Sequence, residues 1–338
     1  MKEIVCQQAD EFKMIDVAEP VAGTGEALVR IRRIGICGTD YHAFKGNQPF
    51  FSYPRVLGHE LAGVIEAMGE GGPDSLAVGD QVSIIPYLQC GTCIACRNGK
   101  SNCCTNMRVL GVHTDGGMRE VIAVPADHLI NTNGITLDQA AILEPLSIGA
   151  HAVRRSGLAA GELALVIGGG PIGLGVMAFA KQRGAAVIAM DVNEKRLNFC
   201  RDWAKVDETV HVKNNPLQQL MKLSNGDLPT VVFDATGSAK SMTDAFQYVS
   251  HGGRLVYVGL VKVDITFSDP EFHKKELTLM GSRNATLEDF DVVLYAVRGG
   301  SIDTDRYITH RAGFDQMIDE FKNWLNPESG VIKAIIEV

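Results

Sequence analysis

Residues Leu163–Ala180 read LALVIGGGPIGLGVMAFA, eighteen positions without a charge. By length and hydropathy the stretch would fit a membrane helix. Gly168, Gly169 and Gly170 followed by Pro171 argue against it, because glycine favours tight turns and proline opens helices at their first position. The segment therefore reads as a short strand, a turn and a helix. The turn, GGGPIG, places G-x-G-x-x-G at Gly168, Gly170 and Gly173. Those glycines permit the turn, let the backbone approach a pyrophosphate and let the helix pack on the strand. The helix N-terminus offers free N–H groups to phosphate oxygens. The next strand, AAVIAMD, ends in Asp191, about 20 residues further on, where a carboxylate would bind the ribose hydroxyls of NAD and repel a 2′-phosphate. The plainer reading of Asp191 is an acidic helix cap. Arg196 is close enough to lie over the adenine.

Outward from this motif the chain divides by periodicity. From about residue 160, apolar strands (ELALVIG, AAVIAMD, PTVVFDA, GRLVYVG, LTLMG) alternate with helical stretches (IGLGVMAFAKQRG, NEKRLNFCRDWAK). That is the rhythm of a parallel, doubly wound sheet. Before about residue 130 the pattern is of short strands parted by Gly, Pro and Asp turns, as in a barrel or sandwich. In EALVRIRRIGIC, strict alternation puts Leu28, Arg30 and Arg32 on one side and Val29, Ile31 and Arg33 on the other. After Gly281, LEDFDVVLYAVRGG and FDQMIDEFKNWL read as helices and VIKAIIEV as a strand. This tail is expected to return to the first domain, giving a catalytic domain of residues 1–146 and 286–338 around a nucleotide domain of residues 147–285.

The 338 residues suffice for two cores. A net charge of −8 argues against nucleic-acid and anionic-membrane partners. MKEIVCQQAD lacks the apolar core of a signal peptide, so a cytoplasmic protein with reduced cysteines is expected.

Five of the eight cysteines fall in CGTCIACRNGKSNCC, residues 90–104. Cys90, Cys93, Cys96 and Cys104 form C-x2-C-x2-C-x7-C, with Asn98-Gly99 turning the chain back toward the fourth. Cys103 would point elsewhere. Four thiolates close a tetrahedron around zinc, which makes this site structural. A reacting metal needs an open position. Cys37 in GICGTDYH, His59 and Glu60 in VLGHE, and Glu144 in EPLS offer a thiolate, an imidazole and carboxylates for one.

Taken together, GICGTDYH, GHELAG, CGTCIACRNG with Cys104, DGGMREV, EPLS, GGGPIG with Asp191, DATGS and VGL resemble the zinc-containing medium-chain alcohol/polyol dehydrogenases from the first strands to the last. The resemblance implies an α/β-plus-β architecture: a GroES-like β-barrel catalytic domain and a Rossmann nucleotide-binding domain. It implies two zincs and NAD. Cys37, His59 and Glu60 match the catalytic zinc positions. Glu144 matches a carboxylate that ligates the metal or holds its water, and which glutamate ligates stays open. Thr39 matches the hydroxyl that hydrogen-bonds the reacting alcohol, and His42 the outer member of a proton relay. Ile172, Val258, Gly259, Leu260, Ser282 and Arg283 match positions along NAD.

The activity so implied is oxidation of a secondary hydroxyl by hydride transfer to NAD. GNQPFFSYPRVLGHE and FSDPEFHKKELTLMGSRNAT resemble members acting on sugar acids such as L-galactonate. On the same resemblance Asn47, Gln48 and Phe51 line the pocket, and Arg283 or the run His273-Lys274-Lys275 meets a substrate carboxylate. The run also reads as a solvated face or a subunit contact. Alternatives are a hexitol, hexitol phosphate or L-threonine dehydrogenase, or a non-catalytic nucleotide-binding protein. The family implies a homodimer or homotetramer, with a small-molecule partner and neither nucleic acid nor membrane.

Overall fold

The computed structural model describes residues 1–48 and 51–338. The chain separates into two compact units, Met1–Glu144 with Thr286–Val338, and Pro145–Ala285.

The first unit is β-rich and is organised by one long strand, Glu26–Ile36. On one side it pairs antiparallel with Glu60–Met68; its first half also pairs with Val121–Pro125 and its second half with Lys333–Glu337. The sheet continues through Gln81–Ile84 and Leu129–Asn131 at one end and Ile308–Gly313 at the other. The C-terminal segment thus supplies two strands of this sheet. Strict alternation fails along the long strand. The register with Glu60–Met68 shifts between Ile31 and Arg33, so Ala27, Val29 and Ile31 are buried before the shift, and Ile34 and Ile36 after it. Arg33 does not share the face of Val29 and Ile31 as the alternation predicts. A bulge inserts one residue and reverses the phase of the side chains beyond it.

Arg33 is put to use at that point. Its Nε and the Nη2 of Arg311 each donate to Asp138 at 2.6 Å, joining the long strand, the helix Leu137–Ala141 and the strand Ile308–Gly313. A second brace is aromatic. Phe321 of the helix Met317–Trp324 packs on Phe12, Tyr41 and Phe44, with centroids 5.0, 4.8 and 5.3 Å away. Tyr41 and Phe44 belong to the helix Gly38–Phe44, so the C-terminal segment fixes the helix that follows Cys37.

The second unit holds a six-stranded, wholly parallel sheet. In chain order its strands are Leu163–Ile167, Ala186–Asp191, Glu208–His211, Val231–Asp234, Arg254–Tyr257 and Thr278–Gly281; in space they run third, second, first, fourth, fifth, sixth. This is the doubly wound nucleotide-binding order, with its switch point beside the first strand. Leu165, Val232 and Leu255 are fully buried at its core. Glu208–His211 was not anticipated, because four residues with polar ends carry little periodic signal. The eighteen-residue apolar stretch is a five-residue strand and the twelve-residue helix Pro171–Gln182. Among the described residues no helix is long and apolar enough to cross a membrane.

Burial opposes ionisation of Asp138, but the hydrogen bonds from Arg311 and Arg33 win and hold its carboxyl below the usual range. Asp138→Asn should therefore cost about 1–2 kcal/mol of stability at neutral pH. A depressed carboxyl stabilises above its unfolded value, near ~3.9, and that contribution is lost as pH falls through the lower folded value. Denaturant melts of the two proteins should differ at pH 7 and converge as the solution is acidified below ~4.

Candidate active site and metal centres

The thiol lobe is short and irregular. Cys93 precedes the single-turn helix Ile94–Arg97, Gly99 (φ +69°) makes the return, and a 3-10 turn, Ser101–Cys103, delivers Cys104. The sulfurs of Cys90, Cys93, Cys96 and Cys104 all lie within 4.8 Å of one another, with Cys93–Cys96 at 3.5 Å and Cys90–Cys104 at 3.4 Å. Backbone N–H groups of Cys90 and Asn106 point at the Cys104 sulfur from 3.2 and 3.3 Å. Hydrogen bonds from Cys96 and Thr105 pull the Cys93 thiol down to about 5, while burial pushes Cys96 up to about 12. The lobe thus favours thiolate at some sulfurs and leaves others for a metal to deprotonate. Four sulfurs at this spacing fit a closed zinc site. Cys103 is exposed and outside the cluster, and no disulfide joins any of the eight cysteines.

The second cluster lies in the same unit. Cys37 follows the long strand and stands at the N-cap of the helix Gly38–Phe44; His59 immediately precedes the strand Glu60–Met68, and Glu60 begins it. One donor atom from each of Cys37, His59 and Glu60 lies within 4.8 Å of the others. His59 and Glu60 are buried and Cys37 is half-buried. Thr39 and His42 occupy the helix after Cys37, three residues apart and hence on neighbouring positions of one face. Thr39 is half-buried and His42 exposed.

Four residues of this centre were not singled out from the sequence. Asp40 is buried; it accepts the Cys37 N–H at 2.9 Å and the Gly58 N–H at 3.4 Å, tying together the two turns that present Cys37 and His59. The Tyr87 hydroxyl donates to Glu144. Tyr307 is fully buried near Glu60, Cys37 and Glu144. Lys333 places its ammonium 2.6 and 2.7 Å from the two oxygens of Glu60. The signals were present but faint: Asp40 sits within GICGTDYH, and Lys333 is the single charge inside the apolar run VIKAII.

Burial pushes the carboxyl of Glu144 up to about 7, and that of Asp40 upward as well. Burial also opposes a proton on His59, but Coulombic attraction to Asp40 and Cys37 more than offsets it and holds the imidazole well above its ordinary value. The Nδ1 of His59 is buried without a hydrogen-bond partner, 3.7 Å from Asp40. A thiol, an imidazole and a carboxylate at this spacing fit a divalent zinc.

In the parallel unit, the predicted cofactor positions gather at the C-terminal ends of the strands. Gly168 follows the first strand at φ +103°, and a Cβ on Gly173 would lie 1.8 Å from the Gly168 carbonyl, so only glycine permits this crossing of helix and strand. The carboxylate of Asp191 accepts the N–H of Gly169 at 2.7 Å and of Asn193 at 2.8 Å, which fixes it beside the glycine turn. The helix cap is Asn193, whose side chain accepts from Lys195 and Arg196, so Asp191 is not the cap. Arg196 packs its stem near Gly169. Ile172 lies in the first turn of the helix Pro171–Gln182. The N–H groups of Val258 and Gly259 both bond the Asp234 carbonyl, and Leu260 follows, exposed. Ser282 has a buried hydroxyl without a hydrogen-bond partner, and Arg283 is exposed.

Substrate positions are less gathered. Asn47 is exposed, Gln48 has a buried Oε1 without a partner, and Phe51 packs on Tyr53 at 4.9 Å; Pro49 and Phe50 of the same motif lie outside the described residues. Lys275 donates to the carbonyls of Phe246, Gln247 and Val249, and Lys274 pairs with Glu271 at 3.6 Å. Lys275 thus caps carbonyls of another segment, while His273 and Lys274 are exposed.

Comparison with known proteins follows this geometry. The model for the alcohol dehydrogenase GroES-like domain matches residues 23–134, and that for zinc-binding dehydrogenases matches residues 171–297. The chain is 44% identical over 336 residues to L-galactonate-5-dehydrogenase of Escherichia coli K12, covering 99% of this chain and 98% of that one. The chain belongs to the zinc-binding alcohol dehydrogenase family. Another relative, 2-dehydro-3-deoxy-L-galactonate 5-dehydrogenase of Pseudoalteromonas atlantica, is 33% identical over 329 residues, 96% of this chain and 95% of its own. Among solved structures, a short chain alcohol dehydrogenase of Escherichia coli CFT073 complexed with NADH superposes with a TM-score of 0.93 at 30% identity, covering 100% of this chain and 99% of that one. As a member of this family the chain is an oxidoreductase that acts on an alcohol with a nicotinamide cofactor.

Asp40 fixes the turns of Cys37 and His59 from behind, and where such residues bind a metal, partners of this kind typically govern its affinity by about 10–100-fold. Asp40→Ala should weaken zinc binding at Cys37 and His59 by that order, in competition with a chromogenic chelator, and leave the four-cysteine site unaffected.

Proposed function

We propose that this dehydrogenase oxidises a secondary hydroxyl of a six-carbon sugar acid, L-galactonate foremost, with NAD as acceptor. The observation that carries the substrate class is the 44% identity, over nearly the whole of both chains, to L-galactonate-5-dehydrogenase. In this reading Cys37, His59 and a carboxylate from Glu60 or Glu144 hold one zinc, and Cys90, Cys93, Cys96 and Cys104 hold a second. When bound there, the zinc would supply a Lewis acid for loss of the hydroxyl proton and NAD would supply the hydride acceptor.

The chain's own residues do the remainder. Thr39 accepts a hydrogen bond from the reacting hydroxyl and passes its proton outward, and exposed His42 delivers it to solvent. Asp191, fixed by two backbone amides, receives the ribose hydroxyls and disfavours a 2′-phosphate, which selects NAD over NADP. Gly168, Gly170 and Gly173 bring backbone to the pyrophosphate, and Ile172, Arg196, Val258, Gly259, Leu260, Ser282 and Arg283 border the rest of the cofactor. Eight unpaired thiols suit a reducing cytoplasm. The strand Thr278–Gly281 ends its sheet with Leu279 partly exposed, an edge suited to a homo-oligomer.

NADH absorbance with a panel of aldonates, hexitols, hexitol phosphates and L-threonine tests the substrate. L-galactonate should lead in kcat/KM by about tenfold or more; a hexitol or L-threonine in first place would replace it. Metal analysis should find two zincs per chain. Cys37→Ser should remove one and lower turnover by roughly a thousandfold, since a Lewis acid contributes several kcal/mol to such a barrier. Cys93→Ser should remove the other and lower Tm. One zinc per chain without turnover would favour a non-catalytic nucleotide-binding protein.

A further inference from the structure

Two strands flank Leu163–Ile167 in the parallel sheet, and both end in aspartate: Ala186–Asp191 on one side and Val231–Asp234 on the other. Each carboxylate accepts the N–H two residues on, Asp191 from Asn193 at 2.8 Å and Asp234 from Thr236 at 2.9 Å. Their remaining partners differ. Asp191 reaches the glycine turn, whereas Asp234 serves the turn of its own motif, DATGS, residues 234–238. It accepts the Thr236 hydroxyl at 2.7 Å on one oxygen and the Ser241 hydroxyl at 2.5 Å on the other. The Thr236 hydroxyl oxygen in turn accepts the Ser238 N–H at 3.1 Å. Asp234 is 0% exposed, yet each of these partners is neutral. A buried carboxylate without a cation beside it is costly. This one holds a turn whose Thr236, Gly237 and Ser238 are exposed.

The held turn lies between two others. A Cβ on Gly168 would lie 3.2 Å from the Thr236 methyl carbon, and one on Gly259 would lie 2.6 Å from the Gly237 nitrogen. Gly237 itself stands at φ +62°. The Asp234 carbonyl takes the N–H groups of Val258 and Gly259 at 2.9 and 3.0 Å. Side chain and main chain of one residue thus fix the DATGS turn and the Val258–Leu260 turn together, with the glycine turn in contact. A doubly wound sheet takes one half of a dinucleotide on each side of the point where its strand order reverses. Asp191 stands on the adenosine side and Asp234 on the other. We propose that Asp234 is a positioning residue for the nicotinamide half of the cofactor: through Thr236 and Ser241 it fixes the exposed turn on which that half rests. The proposal rests on the reading that this unit binds NAD.

Fluorescence titration with NADH and calorimetry with ADP, both on the whole enzyme, test it, because ADP fills only the adenosine side. Asp234→Ala should raise the NADH dissociation constant by about tenfold or more, the usual cost of unmaking hydrogen bonds to a charged group, and leave ADP binding within about twofold of wild type. Asp234→Asn keeps an acceptor for Thr236 and should recover most of the lost affinity. Thr236→Val keeps a methyl facing Gly168 and loses only the hydroxyl, so it should weaken NADH in the same selective way. That variant also keeps the proposal testable if Asp234→Ala fails to fold. NADH affinity unchanged in Thr236→Val and Asp234→Ala would overturn the proposal alone. So would an equal loss for NADH and ADP, which would make the network a prop for the whole unit. A wild-type protein that binds neither nucleotide would overturn the functional reading, and this proposal with it.

Discussion

Charge buried without water is the constraint around which the β-rich unit is arranged. Asp40, Glu60 and Glu144 come together with the Cys37 thiol inside it, and Lys333 is the one buried lysine among the described residues. Each anion is accommodated in its own way. Asp40 takes two backbone amides, Glu60 takes the lysine, and Glu144 takes a tyrosine hydroxyl while burial shifts it toward the neutral form. What remains is the Cys37 thiol and the His59 imidazole, whose Nδ1 has no hydrogen-bond partner, donors that suit a borderline-soft divalent ion. The surrounding architecture keeps these groups together. The long strand positions Cys37, and the aromatic contacts of Phe321 steady the helix that carries Thr39 and His42.

The nucleotide unit obeys a different logic, because its chemistry is done by backbone. Parallel strands all end on one side of the sheet, and the turns after them expose N–H groups and small residues where a dinucleotide needs close approach. Asp191 stands beside those turns and is bonded to the glycine turn itself, so the end of the second strand and the turn before the helix are locally one structure.

Much of this was legible in the sequence, and the reason differs by level. Turn chemistry is local: GGGPIG announces its strand, crossing and helix within eighteen residues, and clustered cysteines announce a metal lobe by spacing. Cys37 and His59 were legible as members of short motifs. What escaped depends on pairing across the sheet. The bulge at Ile31 and Arg33 is a property of the register with Glu60–Met68, not of the alternation within EALVRIRRIGIC. The edge strand Glu208–His211 draws its stability from Ala186–Asp191, and its own four residues hardly mark it. Lys333 is nearly 300 residues from Glu60, and nothing in either neighbourhood names the other. Yet a lone lysine within an apolar strand must find a counter-charge, and that expectation was available before any coordinates.

The route of the chain gives the Glu60–Lys333 pair a further meaning. The strand Lys333–Glu337 docks against Glu26–Ile36 only after the intervening nucleotide unit, Pro145–Ala285, has been translated. A nascent polypeptide leaving the ribosome N-terminus first therefore carries Glu60 and its neighbours without their cation for the whole of that interval. The β-rich unit therefore takes the counter-charge of Glu60 from a strand synthesised after the whole nucleotide unit.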